Sequence, residues 1–159
     1  MRVLIISDTH GRHTGFDQAI DQAGEIDFLI HLGDTEGGEH YIEAVAGCPC
    51  YIVAGNNDFF SDMPREMEIS LGGYRMFLCH GHQYQVSLGP ERIRDEGIAR
   101  NCDIVMFGHT HRPLVLEEKG ITLLNPGSLS FPRQEGRRGS YILMETDRTG
   151  KADYKVCYL

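Results

Sequence analysis

The stretch Met1-Arg-Val-Leu-Ile-Ile-Ser-Asp-Thr-His-Gly11 decides how this chain is read. Arg2 to Ser7 is almost unbroken apolar sequence, the pattern of a strand buried on both faces of a parallel sheet. It is too short for a secretory signal and lacks a small-residue cleavage site, so a first strand is expected. The run then stops at an acid, Asp8, with an imidazole two residues on, His10.

The same grammar repeats downstream. Phe16, Ala19, Ile20 and Ala23 recur at i, i+3, i+4 and i+7, one face of a helix that Gly24 ends. Asp27 to Leu32 is a second apolar strand, Tyr41, Ile42, Val45 and Ala46 form a helical face ended by Gly47, and Pro49 to Ala54 is a third strand. The β-α-β-α-β order predicts a right-handed parallel sheet. Beyond Asp58 the rhythm changes. Gly72-Gly73 and Lys119-Gly120 read as two-residue hairpins, Pro90 opens a helix to about Arg100, and Asp103 to Phe107 is another strand. Ser140 to Glu145 and Ala152 to Tyr158 straddle a turn at Thr149-Gly150. The expectation is one α/β domain over 1–159, parallel in its first half and more antiparallel in its second.

Bulk properties narrow the function. The chain has 159 residues, 41% hydrophobic, with a formal net charge of -8. That balance does not favour nucleic acid as a partner, and no run of eighteen apolar residues predicts a membrane helix. Cys48, Cys50, Cys79, Cys102 and Cys157 show no metal spacing and read as free thiols of a reducing compartment, so a cytoplasmic location is expected.

The strand ends carry the chemistry. Asp8 and His10 follow the first strand, Gly33-Asp34 the second, Gly55-Asn56 the third, His80-Gly81 the hairpin strand, and Gly108-His109 with His111 the next. In α/β sheets the carboxyl edge is where ligands bind. Residues at i and i+2 of extended chain share a face, so Asp8/His10 and His109/His111 are each expected to point one way. Imidazoles, carboxylates and one amide suit borderline first-row divalent ions. Asp8, His10, Asp34, Asn56, His80, His109 and His111 exceed the need of one ion, because positions must stay open for water and substrate. Two ions about 3.5–4 Å apart with a shared carboxylate fit better.

Asp8-Thr9-His10, Gly33-Asp34, Gly55-Asn56-Asn57-Asp58, His80-Gly81 and Gly108-His109-Thr110-His111 resemble, in order and spacing, the calcineurin-like metallophosphoesterases. The short chain and Asn125-Pro126-Gly127-Ser128 look like the small prokaryotic phosphodiesterase branch. The resemblance implies two packed mixed β-sheets flanked by helices. It gives Asp8, His10, Asp34 and His111 to one metal, and Asp34, Asn56, His80 and His109 to the other. Asp34 would bridge, and a hydroxide held between the ions would attack phosphorus. The two ions would be divalent, Mn first and Ni, Fe, Co or Zn as alternatives.

One position departs from the family's common Gly-Asn-His-Asp/Glu. Asn57 stands where the histidine would, and an amide cannot be a general acid near neutral pH, though it can donate a hydrogen bond to phosphate. Asn57 and Asp58 are therefore the candidate catalytic residues, Asp58 by orienting Asn56 or a ligand histidine. His82 is expected at the solvent, while His13, His31 and His40 read as structural. Arg12 and Arg133 read as surface cations, and Asn125 to Ser128 as a turn near the site. The expected activity is hydrolysis of small phosphodiesters by a dinuclear centre. Phosphomonoester hydrolysis is the nearest alternative, and a metal-binding interaction scaffold of the same fold the more distant one. Partners are a small phosphoester, no nucleic acid and no membrane, with a homodimer or homotetramer left open.

Overall fold

A computed structural model describes residues 1–159. The elements run β1 (Arg2–Ile6), α1 (Thr14–Ala23), β2 (Phe28–His31), α2 (Glu39–Ala46), β3 (Cys50–Ile52), β4 (Glu66–Leu71) and β5 (Tyr74–Cys79). They continue with α3 (Glu91–Ala99), β6 (Ile104–Met106), β7 (Pro113–Glu118), β8 (Ile121–Pro126), β9 (Ser140–Thr146) and β10 (Ala152–Tyr158). Two five-stranded sheets result, ordered β10-β9-β1-β2-β3 and β4-β5-β6-β8-β7.

Side-chain alternation in β1 builds both sides of the first sheet. Val3 and Ile5 face the second sheet and pack with Ile30, Met76, Leu78 and Ile142. Leu4 and Ile6 face the opposite way, onto Phe16 and Ala19 of α1 and Ile42 of α2. The second sheet repeats this, with Phe77, Val105 and Leu123 turned outward to Ile93 of α3. The layers are helix, sheet, sheet, helix, the sandwich that the resemblance implied. No helix is long and apolar enough to cross a membrane.

The expected β-α-β-α-β unit is present, with β1 paired parallel to β2 and β2 parallel to β3. The second half is more antiparallel, as expected, through β4–β5, β7–β8, β9–β10 and β1–β9, but the centre of the second sheet is parallel. β5, β6 and β8 are mutually parallel, and only the edge strands β4 and β7 run against them. Local turn signals found the hairpins correctly, Leu71 pairing with Tyr74 and Glu118 with Ile121. They could not say that β8 would slot between β6 and β7. The β9–β10 hairpin likewise joins the first sheet, against β1, through non-local packing.

Candidate metal centre

The loops after β1, β2, β3, β5 and β6 meet at one edge of the sandwich, bringing together the residues singled out in the sequence. The route differs from the expected extended i, i+2 pairs. Asp8 (φ 55°), His10 (47°), Asp34 (58°), His109 (66°) and His111 (58°) are all left-handed. That conformation costs a non-glycine residue about 1 kcal/mol or more, and such strain collects at functional sites. Asp and His tolerate it better than branched residues, so the backbone curls each side chain inward.

Two groups form. Asp8, His10 and His111 present ligand atoms within 4.8 Å of one another, and so do Asp8, Asp34 and His80. Asp8 is common to both groups, while Asp34 Oδ2 lies 3.9 Å from His10 Nε2 and 3.5 Å from His80 Nε2. Asn56 Oδ1 is 3.0 Å from His80 Nε2. The His109 ring stands edge-on to His80, centroids 5.2 Å apart, and its main-chain N–H donates to Asp8 Oδ2 at 3.1 Å. His109 is thus beside the second group, not within it.

Tautomers follow from the outer partners. His10 Nδ1–H donates to Glu36 Oε1, His80 Nδ1–H to Leu32 O and His111 Nδ1–H to Phe131 O, each at 2.7 Å. Each neutral ring therefore turns a lone-paired Nε2 inward. There His10 Nε2 and His111 Nε2 are 3.4 Å apart. Asp8 Oδ1 lies 2.9 Å from His111 Nε2, a lone-paired nitrogen in this tautomer, so this buried oxygen has no donor. Lone pairs outnumber protons, and only added positive charge reconciles them. The residues fit a divalent cation.

The titration preferences agree. Burial pushes the Asp34 carboxyl up, but the hydrogen bond and charge of His80 and the Asn57 N–H hold it well below the usual range. Burial also opposes ionisation of Asp8, yet the closeness of His111 and the charge of His80 lower it. Burial disfavours the His80 cation, and the two aspartates outweigh it and raise its pKa.

Around the groups stand the other residues singled out in the sequence, not all in the roles expected of them. Asp58 does not orient Asn56 or a histidine. Its buried carboxylate accepts from the main-chain N–H groups of Asp34, Thr35, Glu36 and Gly55 and from Thr35 Oγ1. It clamps the Asp34 loop to the Gly55 loop. Asn57 donates from its main chain and its Nδ2 to Asp34, at 2.9 and 2.8 Å. His82 is half-buried rather than at the solvent, 5.6 Å from His80 between ring centroids, and burial with the His80 charge pushes its pKa down. Asn125 ties Gly108 O and Thr110 to β8, and Ser128 Oγ–H donates to Asp8 O at 2.8 Å.

Of the three histidines set aside as structural, His31 and His13 are so placed and His40 is a surface residue. His31 is buried, with Gly33 N–H donating to its Nδ1, Thr9 Oγ1 at 3.0 Å from its Nε2, and its pKa pushed down to about 4 by burial. His13 stacks on Tyr41, and His40 is exposed. Glu36 and the Phe131 carbonyl, missed in the sequence, carry no motif of their own.

Space is as constrained as charge. A Cβ on Gly55 would run into Asp34 Oδ1 and Asp34 N. Gly55→Ala is therefore expected to displace Asp34 and reduce bound Mn²⁺ by roughly 10–100-fold in affinity, the scale of losing a ligand's support. Equilibrium dialysis with Mn²⁺ checks this.

A carboxylate–imidazole cluster on the ligand-binding edge of a two-sheet sandwich is a site that fits divalent metal. The comparisons give the family: the calcineurin-like phosphoesterase superfamily domain matches residues 1–149, and the chain belongs to that family. Divalent-metal binding goes with it. The chain is 31% identical over 145 residues to the probable metallophosphoesterase YsnB of Bacillus subtilis, covering 91% of this chain and 83% of that one. It is 35% identical over 80 residues to the phosphodiesterase YfcE of Escherichia coli, half of this chain and 39% of that one. A predicted phosphoesterase structure from Streptococcus pneumoniae superposes with a TM-score of 0.83 at 28% identity, covering 99% of this chain and 88% of that one. Vps29 of Entamoeba histolytica with zinc shares the fold, TM-score 0.79 at 23% identity, covering 99% of each chain.

Proposed function

We propose that this protein is a dinuclear-metal-dependent phosphodiesterase acting on small phosphodiesters in the cytoplasm, the whole of 1–159 forming one catalytic domain. The observation that carries the proposal is the set of inward Nε2 atoms, each fixed by an Nδ1–H donated outward, facing a buried Asp8 oxygen without a donor. In this reading Asp8, His10, Asp34 and His111 hold one ion, and Asp34, Asn56, His80 and His109 the other, with Mn²⁺ the first choice. Bound divalent ions supply an acidified water and neutralise phosphate charge.

The chain's own residues do the rest. Asp34, 3.9 Å from His10 Nε2 and 3.5 Å from His80 Nε2, would be the shared carboxylate, the role the family resemblance gives it, although Asp8 lies within 4.0 Å of both rings as well. Asn56 turns its oxygen inward, whereas Asn57 turns an N–H donor inward. That difference makes Asn56 the ligand and Asn57 the group that steadies Asp34 and donates to a phosphate oxygen. Neither can give the leaving group a proton, so the enzyme should favour good leaving groups. Asn57→His is expected to leave Mn²⁺ binding intact and raise turnover of poor-leaving-group diesters, within the ~10²–10⁴-fold that a general acid supplies. Steady-state rates on alkyl and nitrophenyl diesters measure this, and loss of metal on substitution would show the two asparagines to be assigned the wrong way round.

With Mn²⁺ added, bis(4-nitrophenyl) phosphate is expected to be hydrolysed with higher kcat/KM than 4-nitrophenyl phosphate. An equal or greater monoester rate would make the protein a phosphomonoesterase instead. YfcE, named a phosphodiesterase, supports the diester reading.

A further inference from the structure

The cleft that opens from His10 and His111 is walled by Arg112, Phe131, Arg133 and Arg137 and holds about 600 Å³. Arg12 stacks on one of these walls, its Cζ 4.4 Å from the centroid of the Phe131 ring, which meets the His10 ring edge-on at 5.1 Å. Arg112 and Arg133 also line an adjoining pocket of about 470 Å³, whose walls include Val86, Phe107, Thr110 and Leu114. Arg112 directly follows His111, and the Arg133 N–H donates to His111 O at 3.0 Å, so both are anchored to the rim of the centre.

None of these guanidiniums is ion-paired with a carboxylate; Arg65, Arg92 and Arg148 are unpaired too but do not line the cleft, so what sets these apart is their concentration beside the metal centre. Scattered surface arginines are ordinary. Three that line one cleft, with Arg12 stacked on its Phe131 wall, in a chain of net charge -8, are a local concentration of like charge that an anionic ligand would relieve. The guanidinium fork matches phosphate oxygens in pairs. A singly charged scissile diester would spend its charge at the metal centre and leave the arginines without a partner.

We propose that this cleft binds a second phosphate, on the part of the substrate that is not cleaved, so that the preferred substrate class is a phosphodiester bearing a further phosphate. Phe131 and the adjoining apolar pocket offer a surface to the carbon frame between the two phosphates. The proposal rests on the phosphodiesterase reading above.

Two esters with the same scissile bond and leaving group test it: thymidine 5′-(4-nitrophenyl phosphate), with and without a 3′-phosphate. With the Mn²⁺-loaded protein, the 3′-phosphorylated ester is expected to have a kcat/KM roughly tenfold higher or more, the scale of one charge-assisted contact. That advantage should shrink as salt rises. The ratio should fall towards one in Arg112→Gln/Arg133→Gln. Equal values in the wild type, or a ratio the double substitution does not move, would overturn the proposal. A second readout needs no turnover. Calorimetric titration of the metal-free protein with thymidine 3′,5′-bisphosphate should show binding that weakens roughly tenfold in the double variant. Absent or unaltered binding would overturn the proposal equally. If neither ester is hydrolysed yet the bisphosphate binds in this arginine-dependent way, the anion site stands and the phosphodiesterase reading fails.

Discussion

Asp34→Ala is expected to abolish detectable diester hydrolysis and to lower the number of Mn²⁺ ions retained per chain. Asp34, like Asp8, lies within 4.0 Å of both the His10 and His80 Nε2 atoms, and it is held there by two hydrogen bonds from Asn57. Its ionised form is favoured by these donors and by His80 despite burial, so it is negative throughout the range in which the protein would work. Removing a shared ligand should exceed the 10–100-fold cost of removing a ligand's outer partner, roughly, and act on both ions together. Rates that survive Asp34→Ala would identify a contaminating hydrolase and favour the scaffold reading of this fold.

The largest expected effect on stability comes from Asp58→Ala. Five donors converge on this one carboxylate, four of them main-chain N–H groups of the two loops that carry Asp34 and Asn56. Alanine leaves them unsatisfied in a buried place, where each costs about 1–3 kcal/mol if water cannot reach it. Partial relaxation brings the expected loss to roughly 3–5 kcal/mol, among the largest that single substitutions produce. In a chain of this size that is about 6–20 °C in Tm, read by calorimetry on the metal-free protein. Asp58→Asn should lose less, because one amide oxygen still accepts. A Tm unchanged in Asp58→Ala would mean that the loops are held by something other than this clamp.

What the sequence revealed and what it hid separate by range. β1 to β3 with their helices were legible because each is a local pattern: an apolar run, a 3.6-residue face, a terminating Gly24 or Gly47. The antiparallel edges of the second sheet were legible because Gly72-Gly73 and Lys119-Gly120 announce hairpins, whereas the parallel pairing of β6 with β5 and β8 has no local sign. The inward-pointing set was legible as polar residues ending apolar strands. Its backbone was not, since nothing in Asp8-Thr9-His10 distinguishes extended chain from the left-handed turns that occur. Glu36, the Phe131 carbonyl and the true partners of Asp58 escaped because they act across loops far apart in the chain.

The account stands or falls on how many ions the edge of this sandwich holds when it works. Elemental analysis of protein loaded with increasing Mn²⁺, paired with diester rates on the same samples, measures that directly. The predicted result is turnover that climbs as occupancy passes from one ion to two per chain and is lost in Asp34→Ala. Full diester turnover with one ion or none per chain would contradict it.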